Sequence, residues 1–284
     1  MANLKKIAAI HDIAGFGRSS LTVVLPTLAA MGHQVCPVPT AVLSTITGFF
    51  EGYTLHDLSS QLDDYLKHWQ KENLHIDCVY SGFLGSPSQA DIACNFIDKL
   101  NPSLVVVDPV FADEGKLYAC FDDKITQAMR KLIGKAHIIT PNGSEAGFLL
   151  GEDKSPDTPQ KAGEYAKRLS EMGPQFTVIT SVPSGMGKIS IVIYDKKENK
   201  TYKIENPFLS HAHYPGTGDL FTSVLTGQVL SGDSVTKSAS KAADFVFASI
   251  KNAVDNNLPV REGVAFEPML PRLFTEHLLD IEEI

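Results

Sequence analysis

A run of β-branched residues near the middle of the chain constrains the fold more than any other segment. Residues 104–110 have the sequence Leu-Val-Val-Val-Asp-Pro-Val. A strand that is apolar on both faces is typical of a parallel sheet covered by helices on both sides. Strand and helix patterns alternate along the chain without a linker or a repeat. The sequence therefore predicts an α/β fold in which residues 1–284 form one domain, with a doubly wound, mostly parallel sheet flanked by helices.

Composition excludes several classes of function. The chain is 43% hydrophobic and 20% charged, with a formal net charge of -8 and no basic cluster, which argues against a nucleic-acid surface. The apolar run Ile7–Ile10 is too short for a secretory signal, and no run is long enough to span a membrane. The cysteines form no CxxC pair, which argues against a zinc site or a disulfide framework. We therefore expect a cytoplasmic protein with reduced thiols. The four cysteines are Cys36, Cys78, Cys94 and Cys120.

The first strand and its loop are predicted to contribute to a pocket. Ile7–Ile10 is followed by His11 and Asp12, then by the loop 15–20 and a helix over 21–31. The loop has neither the Gly-Lys-Ser/Thr ending of a phosphate loop nor the Gly-x-Gly-x-x-Gly spacing of a dinucleotide fold. We therefore interpret it as part of a substrate pocket.

Polar residues follow several later strands. Asp108 ends the buried strand, where ligands collect in open parallel sheets, although a capping role before Pro109 is the alternative. The polar loop 111–118 is suited to fold over a ligand as a lid. Asn142 and Glu145 are spaced so that a first helical turn places both on one face. They could hold a hydrated Mg²⁺, and helix capping explains the same spacing equally well.

The stretch Pro-Gly-Thr-Gly-Asp at 215–219 opens directly into an apolar run that predicts a helix. Two glycines leave backbone amides uncovered at the helix N-terminus, which makes an anion site. Asp219 would then lie beside a bound phosphate, where it could accept a proton from an attacking hydroxyl. The alternative is a turn followed by an N-cap.

The remaining elements are predicted from periodicity. Helices are expected over 55–69 and about 234–254, a strand over 176–181, and a β-hairpin over 189–204 with a charged turn.

Several of these motifs occur in the order seen in one known family. The chain resembles the vitamin B6 kinases (pyridoxal/pyridoxamine kinases) of the ribokinase superfamily over nearly its whole length. The motifs are Val107-Asp108-Pro109-Val110, Ile139-Thr140-Pro141-Asn142 with Glu145-Ala146, Met172-Gly173-Pro174 with Val178-Ile179-Thr180-Ser181, and Gly216-Thr217-Gly218-Asp219-Leu220-Phe221. The resemblance implies a ribokinase-like fold and transfer of the γ-phosphoryl group of ATP to the 5′-hydroxymethyl group of pyridoxal, pyridoxamine or pyridoxine, a salvage route to pyridoxal 5′-phosphate.

The resemblance also implies roles for individual residues. Asp219 is similar to the catalytic base, and the amides of Gly216, Thr217 and Gly218 to the anion hole. Mg²⁺ with ATP and a monovalent cation, K⁺, are the implied cofactors. The metal-ordering residues are implied to be Asp108, Asn142 and Glu145. The nucleotide contacts are implied to be Asp108, Asn142, Thr180, Ser181 and Thr217, and the ring contacts Thr47 and Phe83, with Asp113 and Tyr118 corresponding less directly. A homodimer is implied as well.

The first loop departs from the family pattern, since His11-Asp12 stands where Ser-His is usual. Asp12 is predicted to be substrate-binding, because its carboxylate could pair with the aminomethyl cation of pyridoxamine. The alternative is that the Asp12 side chain faces away from the ring and caps the loop. For the whole protein, two other functions remain open, namely a hydroxymethylpyrimidine kinase and a vitamin B6 carrier without kinase activity.

Overall fold

The computed structural model describes residues 4–209 and 213–284. Ten strands form one sheet, and two further short strands, the sixth and seventh in chain order, pair only with each other. The strands are β1 (Lys6–Ala14), β2 (Gln34–Leu43), β3 (Leu55–Asp57), β4 (Cys78–Ser81), β5 (Leu104–Val107), β6 (Ala112–Asp113), β7 (Lys116–Leu117), β8 (Ile138–Ile139), β9 (Phe176–Pro183), β10 (Lys188–Asp195), β11 (Lys200–Pro207) and β12 (Ile281–Glu283). The helices are α1 (Leu21–Ala30), α2 (Ser59–Lys71), α3 (Pro87–Leu100), α4 (Lys124–Ile133), α5 (Gly143–Leu150), α6 (Pro159–Ser170), α7 (Thr217–Leu230) and α8 (Val235–Asp255).

The sheet is parallel at its centre and antiparallel at its edges. Its order is β12-β11-β10-β9-β8-β5-β4-β1-β2-β3, with every pair from β9 to β2 parallel. Strands β10, β11 and β12 extend one edge in antiparallel fashion, and β3 closes the other. The predicted α/β class and mostly parallel sheet are confirmed, as is the hairpin expected over 189–204.

Helices cover both faces of the sheet, which explains the apolar run at β5. Val105 and Val107 pack in the core beneath α2 to α6, whereas Val106 packs in the core beneath α1, α7 and α8. Successive side chains of a strand point to opposite faces, so a strand buried on both sides must be apolar at every position. Within residues 4–209 and 213–284, no helix combines the length and apolar character that crossing a bilayer requires.

Several boundaries differ from the prediction, two of them by more than the last residue or two of an element. Strand β1 continues through His11 and Asp12 to Ala14, because its pairing with β2 resumes after a register shift. The expected helix over 55–69 is wrong at its start, since Leu55–Asp57 pairs with β2. Helix α2 begins at Ser59, whose backbone N–H donates to the Asp57 carboxylate at 2.7 Å.

Candidate active site

The carboxyl end of β5 and the N-terminus of α7 meet at the end of the sheet where the parallel strands finish. Asp108 directly follows β5, and Asp219 lies in the first turn of α7. A Cβ built on Gly218 would lie 3.7 Å from Asp108 Oδ2, so the β5 carboxylate faces the start of the helix. The amides of the first helical turn have no acceptor within the helix, which makes this end favourable for anions.

Gly216 is required where α7 begins. Its φ is +81°, and a Cβ there would lie 2.3 Å from the carbonyl oxygen of Arg18. Arg18 is fixed in turn, since its N–H donates to the carbonyl of Glu262 at 3.0 Å. The 15–20 loop therefore packs directly against the start of α7, as the close approach of two backbones at a glycine allows.

The Asp219 carboxylate is held between the first loop and the first strand. Its Oδ2 accepts the backbone N–H of Ser20 at 2.8 Å, and its Oδ1 lies 3.9 Å from Nδ1 of His11. Burial, together with the charges of Asp108 and Asp12, raises the pKa of Asp219 to about 8. The Asp219 side chain is 12% exposed, so a proton donor that binds from solvent can still reach it.

Asp108 has one satisfied and one unsatisfied oxygen. Oδ1 accepts the hydroxyl of Thr140 at 3.0 Å, and that hydroxyl lies 2.9 Å from the hydroxyl of Thr222. Oδ2 is buried without a partner among the described residues, and burial raises the pKa of the carboxyl group. A buried carboxylate oxygen beside an anion-favouring helix end fits a cation that accompanies a phosphate.

Asn142 and Glu145 cap helix α5. The Asn142 carboxamide oxygen accepts the Glu145 N–H at 2.9 Å, and the Glu145 carboxylate accepts the Asn142 N–H at 2.8 Å. The second carboxylate oxygen of Glu145 accepts the N–H of Phe111 at 3.1 Å. The geometry thus realises the capping alternative, and the metal role of the pair stays a prediction.

The segment predicted as a lid is a short hairpin anchored to the same cap. Strands β6 and β7 pair within it, and Phe111 and Ala112 are fully buried. Asn142 donates to the carbonyl of Ala112 at 2.8 Å, and the hydroxyl of Ser144 accepts the Gly115 N–H at 2.8 Å. The hairpin is therefore attached to the start of α5 both at its first strand and at its turn. Asp113 is exposed and Tyr118 half-buried.

Thr180 and Ser181 lie within β9, which continues to Pro183. The register with β10 shifts at these two residues, and Ser181 has a φ of +59°. Thr180 bridges to Asn142, so the irregular part of β9 borders the start of α5. A bulge of this kind redirects side chains at a sheet end.

Of the residues expected at the ring, two follow strands of the sheet and one lies within β1. Thr47 is exposed in the segment after β2, which is joined to the 15–20 loop by the Ile46 N–H bond to the Phe16 carbonyl at 2.9 Å. Phe83 follows β4 and is half-buried, with its ring 5.7 Å from that of Phe121. Asp12 is almost fully buried, which raises its pKa to about 6.

Sequence reasoning missed several residues that contact the two aspartates. His11 was singled out only for its neighbour Asp12, although strand alternation from Ile7 and Ala9 places it on the α7 side. Ser20 adopts a φ of +50° and contacts Asp219 through its backbone. A backbone contact of this kind leaves no signal in residue type.

The chain is similar in sequence to two kinds of vitamin kinase and to the model of one family. The family model for phosphomethylpyrimidine kinase matches residues 17–263. Pyridoxal kinase from Arabidopsis thaliana is 32% identical over 260 residues, which cover 87% of this chain and 81% of that protein. Hydroxymethylpyrimidine/phosphomethylpyrimidine kinase from Bacillus subtilis is 28% identical over 259 residues, covering 90% and 85%.

A solved structure extends the similarity to the whole chain. A Bacteroides thetaiotaomicron protein assigned as a phosphomethylpyrimidine kinase, in an orthorhombic crystal form with pyridoxal, is 42% identical with a TM-score of 0.94. The match covers 99% of this chain and 100% of that one. The predicted resemblance to the vitamin B6 kinases is confirmed, and the chain belongs to the phosphomethylpyrimidine kinase family.

Proposed function

We propose that the protein transfers the γ-phosphoryl group of ATP to the 5′-hydroxymethyl group of pyridoxal, pyridoxamine or pyridoxine. The observation that carries the proposal is that Asp219 lies in the first turn of α7 while the Asp108 carboxylate faces the start of the same helix. The Arabidopsis relative is a pyridoxal kinase, and the Bacteroides structure contains pyridoxal. Both relatives point to a vitamin B6 substrate for a site of this kind.

The proposed reaction is an in-line displacement. The substrate hydroxyl oxygen bonds to the γ-phosphorus, the bond to the β–γ bridging oxygen breaks, and ADP leaves. The hydroxyl proton passes to Asp219, which must be ionised to accept it. The amides of Gly216, Thr217 and Gly218 stabilise the charge on the phosphoryl oxygens.

Mg²⁺ with ATP and K⁺ are the cofactors that we propose. The unpartnered Asp108 Oδ2 supports a cation at the end of β5. Asn142 and Glu145 are proposed to complete its surroundings, although their polar atoms already serve the α5 cap. A bound divalent cation supplies neutralisation of the phosphate charge.

The remaining contacts follow from position and resemblance. We assign Thr180, Ser181 and Thr217 to the phosphate side of the nucleotide. We assign Thr47, Phe83 and Asp12 to the substrate ring. A homodimer and a cytoplasmic location stay predictions.

A comparison of specificity tests the function. We expect kcat/KM, measured by ADP release, to be higher for the three vitamin B6 vitamers than for hydroxymethylpyrimidine. A clear preference for the pyrimidine would replace the proposal with the alternative that the Bacillus subtilis relative represents. Vitamer binding without ADP release would indicate a carrier.

A second measurement tests whether Asp12 distinguishes pyridoxamine from pyridoxal. Its buried Oδ1 has no partner among the described residues, so it is available to the aminomethyl cation of pyridoxamine. The Asp12→Asn variant should then lower the ratio of kcat/KM for pyridoxamine to that for pyridoxal by about tenfold. An unchanged ratio would remove this role from Asp12 and leave the kinase assignment intact.

A further inference from the structure

His11 is a fully buried histidine at the centre of the site. It lies on β1 on the same face as Ile7 and Ala9, and its ring meets that of Tyr80 edge to face, with centroids 4.5 Å apart. A Cβ on Gly82 would lie 2.3 Å from His11 Nδ1. Because Gly82 has no side chain, the imidazole occupies space that any other residue at 82 would fill.

The ring is neutral and has unused hydrogen-bonding capacity. Burial lowers the pKa of His11 to about 3, so the imidazole carries a single proton at physiological pH. The backbone of Tyr80 lies near enough to the ring to act on this pKa in the opposite direction to burial. Among the residues that the structure describes, however, neither ring nitrogen makes a hydrogen bond of normal distance and angle. A buried polar group without a hydrogen bond lowers the stability of the fold, which indicates that the ring gains a partner during the catalytic cycle.

Asp219 is the nearest such partner. Its Oδ2 is fixed by the Ser20 N–H, whereas its Oδ1 faces His11 Nδ1 at 3.9 Å. Closing that separation to the usual N–H···O distance of about 2.9 Å needs a movement of about 1 Å. The other charged groups near the carboxylate are Asp12 and Asp108. Both are acidic, and the nearby Tyr80 hydroxyl donates to the Asp219 backbone carbonyl at 3.4 Å, whereas His11 Nδ1 faces the carboxylate oxygen itself.

We propose that His11 is a positioning residue, whose Nδ1–H donates to Asp219 Oδ1 and orients the carboxylate for the substrate hydroxyl. The inference rests on the proposed function. With Ser20 and His11 each donating to one oxygen, the carboxylate plane is fixed. The remaining lone pairs can accept the substrate proton, and His11 keeps its own proton throughout.

Two substitutions separate positioning from packing. His11→Phe keeps an aromatic ring against Tyr80 but removes the donor, whereas His11→Asn places an amide N–H near the position of Nδ1. We expect His11→Phe to lower kcat about 10- to 100-fold with KM for pyridoxine within about twofold. His11→Asn should restore most of the loss.

His33→Phe is the matched control. His33 is also buried, but its Nε2 contacts the Gly227 carbonyl at 2.9 Å, far along α7 from Asp219. The kcat of the His33→Phe variant should stay within about twofold of the wild-type value, measured below the melting temperature of the variant. Equal losses in His11→Phe and His11→Asn, or a normal kcat in His11→Phe, would overturn the proposal.

A spectroscopic measurement needs no turnover. Long-range ¹H–¹⁵N correlation on ¹⁵N-histidine-labelled protein reports the tautomer of His11, assigned by the signals missing in His11→Asn. We expect the neutral Nδ1–H form, and a weakened preference for it in Asp219→Ala. A dominant Nε2–H form would overturn the proposal even if the protein phosphorylates no vitamer. Conversely, failure of phosphorylation with the Nδ1–H form intact would count against the proposed function alone.

Discussion

At the scale of single residues, Asp219 is the group on which the proposed chemistry depends. Replacing it with asparagine keeps the size of the side chain but removes the proton acceptor. We expect Asp219→Asn to lower kcat about 10²- to 10⁴-fold while vitamer affinity changes little, because a general base acts mainly in the transition state. Steady-state kinetics and equilibrium binding check the two parts.

The control for this variant is Asp123→Asn. Asp123 also stands at the start of a helix, α4, but it is exposed and makes no side-chain capping bond. Its substitution should leave kcat unchanged. Turnover of Asp219→Asn close to that of wild type would refute the role of Asp219 as base.

Replacing Asp12 should shift the pH dependence of kcat/KM that the ionisation of Asp219 causes. Because burial and two acidic neighbours raise the pKa of Asp219 to about 8, the carboxyl group is protonated, and inactive as a base, below that pH. The kcat/KM for pyridoxine should therefore rise with pH through this range. Asp12→Asn removes one negative charge, which lowers the pKa of Asp219 and moves the acid limb to lower pH.

The test compares the position of the acid limb between the wild-type and Asp12→Asn profiles, since ionisations of the substrate affect both profiles equally. A limb that stays in place, or moves to higher pH, would show that the Asp12 charge does not act on Asp219.

At the scale of elements, the start of α7 depends on a glycine that tolerates no side chain. Gly216 and Gly232 lie at the two ends of α7 and both have positive φ, but a Cβ on Gly232 meets nothing within 4 Å. Gly232→Ala should lower the free energy of unfolding by about 1 kcal/mol, the cost of left-handed backbone for alanine.

Gly216→Ala should cost about 1–3 kcal/mol more than Gly232→Ala, because the Arg18 carbonyl must also move. It should lower kcat as well, since the 15–20 loop holds the Asp219 carboxylate. Urea unfolding of both variants measures the difference. Equal losses of stability would mean that the contact with Arg18 relaxes freely.

The capping box of α5 allows its structural and metal roles to be separated. Asn142→Ala and Thr158→Ala each remove an N-cap side chain, the second at α6, where Thr158 accepts the Lys161 N–H at 3.2 Å. Each should lower the free energy of unfolding by about 0.5–2 kcal/mol. Only Asn142→Ala should raise the Mg²⁺ concentration that gives half-maximal rate. An unchanged Mg²⁺ dependence would leave Asn142 with capping alone.

Element type was predictable wherever one periodicity dominated. The end of β5 before Asp108 follows from the residues, because a β-branched run allows one structure. A helix beginning near Asp219 follows from the glycine turn and the apolar run, although α7 begins two residues earlier, at Thr217, with Gly216 and not Asp219 as its N-cap. Strand β3 and the hairpin of β6 and β7 were not predicted, since two or three residues carry no period. The pairing of β3 depends on β2, as Leu55 and Leu43 illustrate, whereas β6 and β7 pair with each other across a two-residue turn.

The arrangement of the site was predictable only in part. That Asp108 lies where ligands collect follows from topology, because parallel strands end together. That Asp219 lies near it was implied by the family resemblance alone. The unpartnered Oδ2 of Asp108, the buried ring of His11 and the Ser20 amide on Asp219 depend on distances of a few ångströms. Such distances are set by packing of the whole molecule, and no local pattern records them.

At the scale of the whole molecule, the two sheet edges differ in a way that bears on assembly. At the β12 edge, Glu282 pairs with Lys203 and Glu283 with Lys200, each at 2.8 Å. Charged side chains of this kind protect an edge from further strand pairing.

The β3 edge carries apolar side chains instead. Leu55 is 49% exposed, and Phe49 and Tyr53 in the preceding loop are 47% and 38% exposed. The strand also contains Asp57, whose carboxylate accepts the Ser59 N–H. Exposed apolar side chains at a sheet edge are suited to pack against another protein surface. We propose that a second copy of the chain covers it, which is consistent with the homodimer that the family resemblance implies.

Sedimentation equilibrium tests this assembly. The wild-type protein should be a dimer at micromolar concentration, and Leu55→Glu should shift it towards monomer, because burying an unpaired carboxylate at an interface is unfavourable. Ile281→Glu is the matched control, since Ile281 lies on β12 and is 40% exposed. That variant should remain dimeric. A monomeric wild-type protein would refute the dimer, and dissociation of the Ile281 variant alone would place the interface at the opposite edge of the sheet.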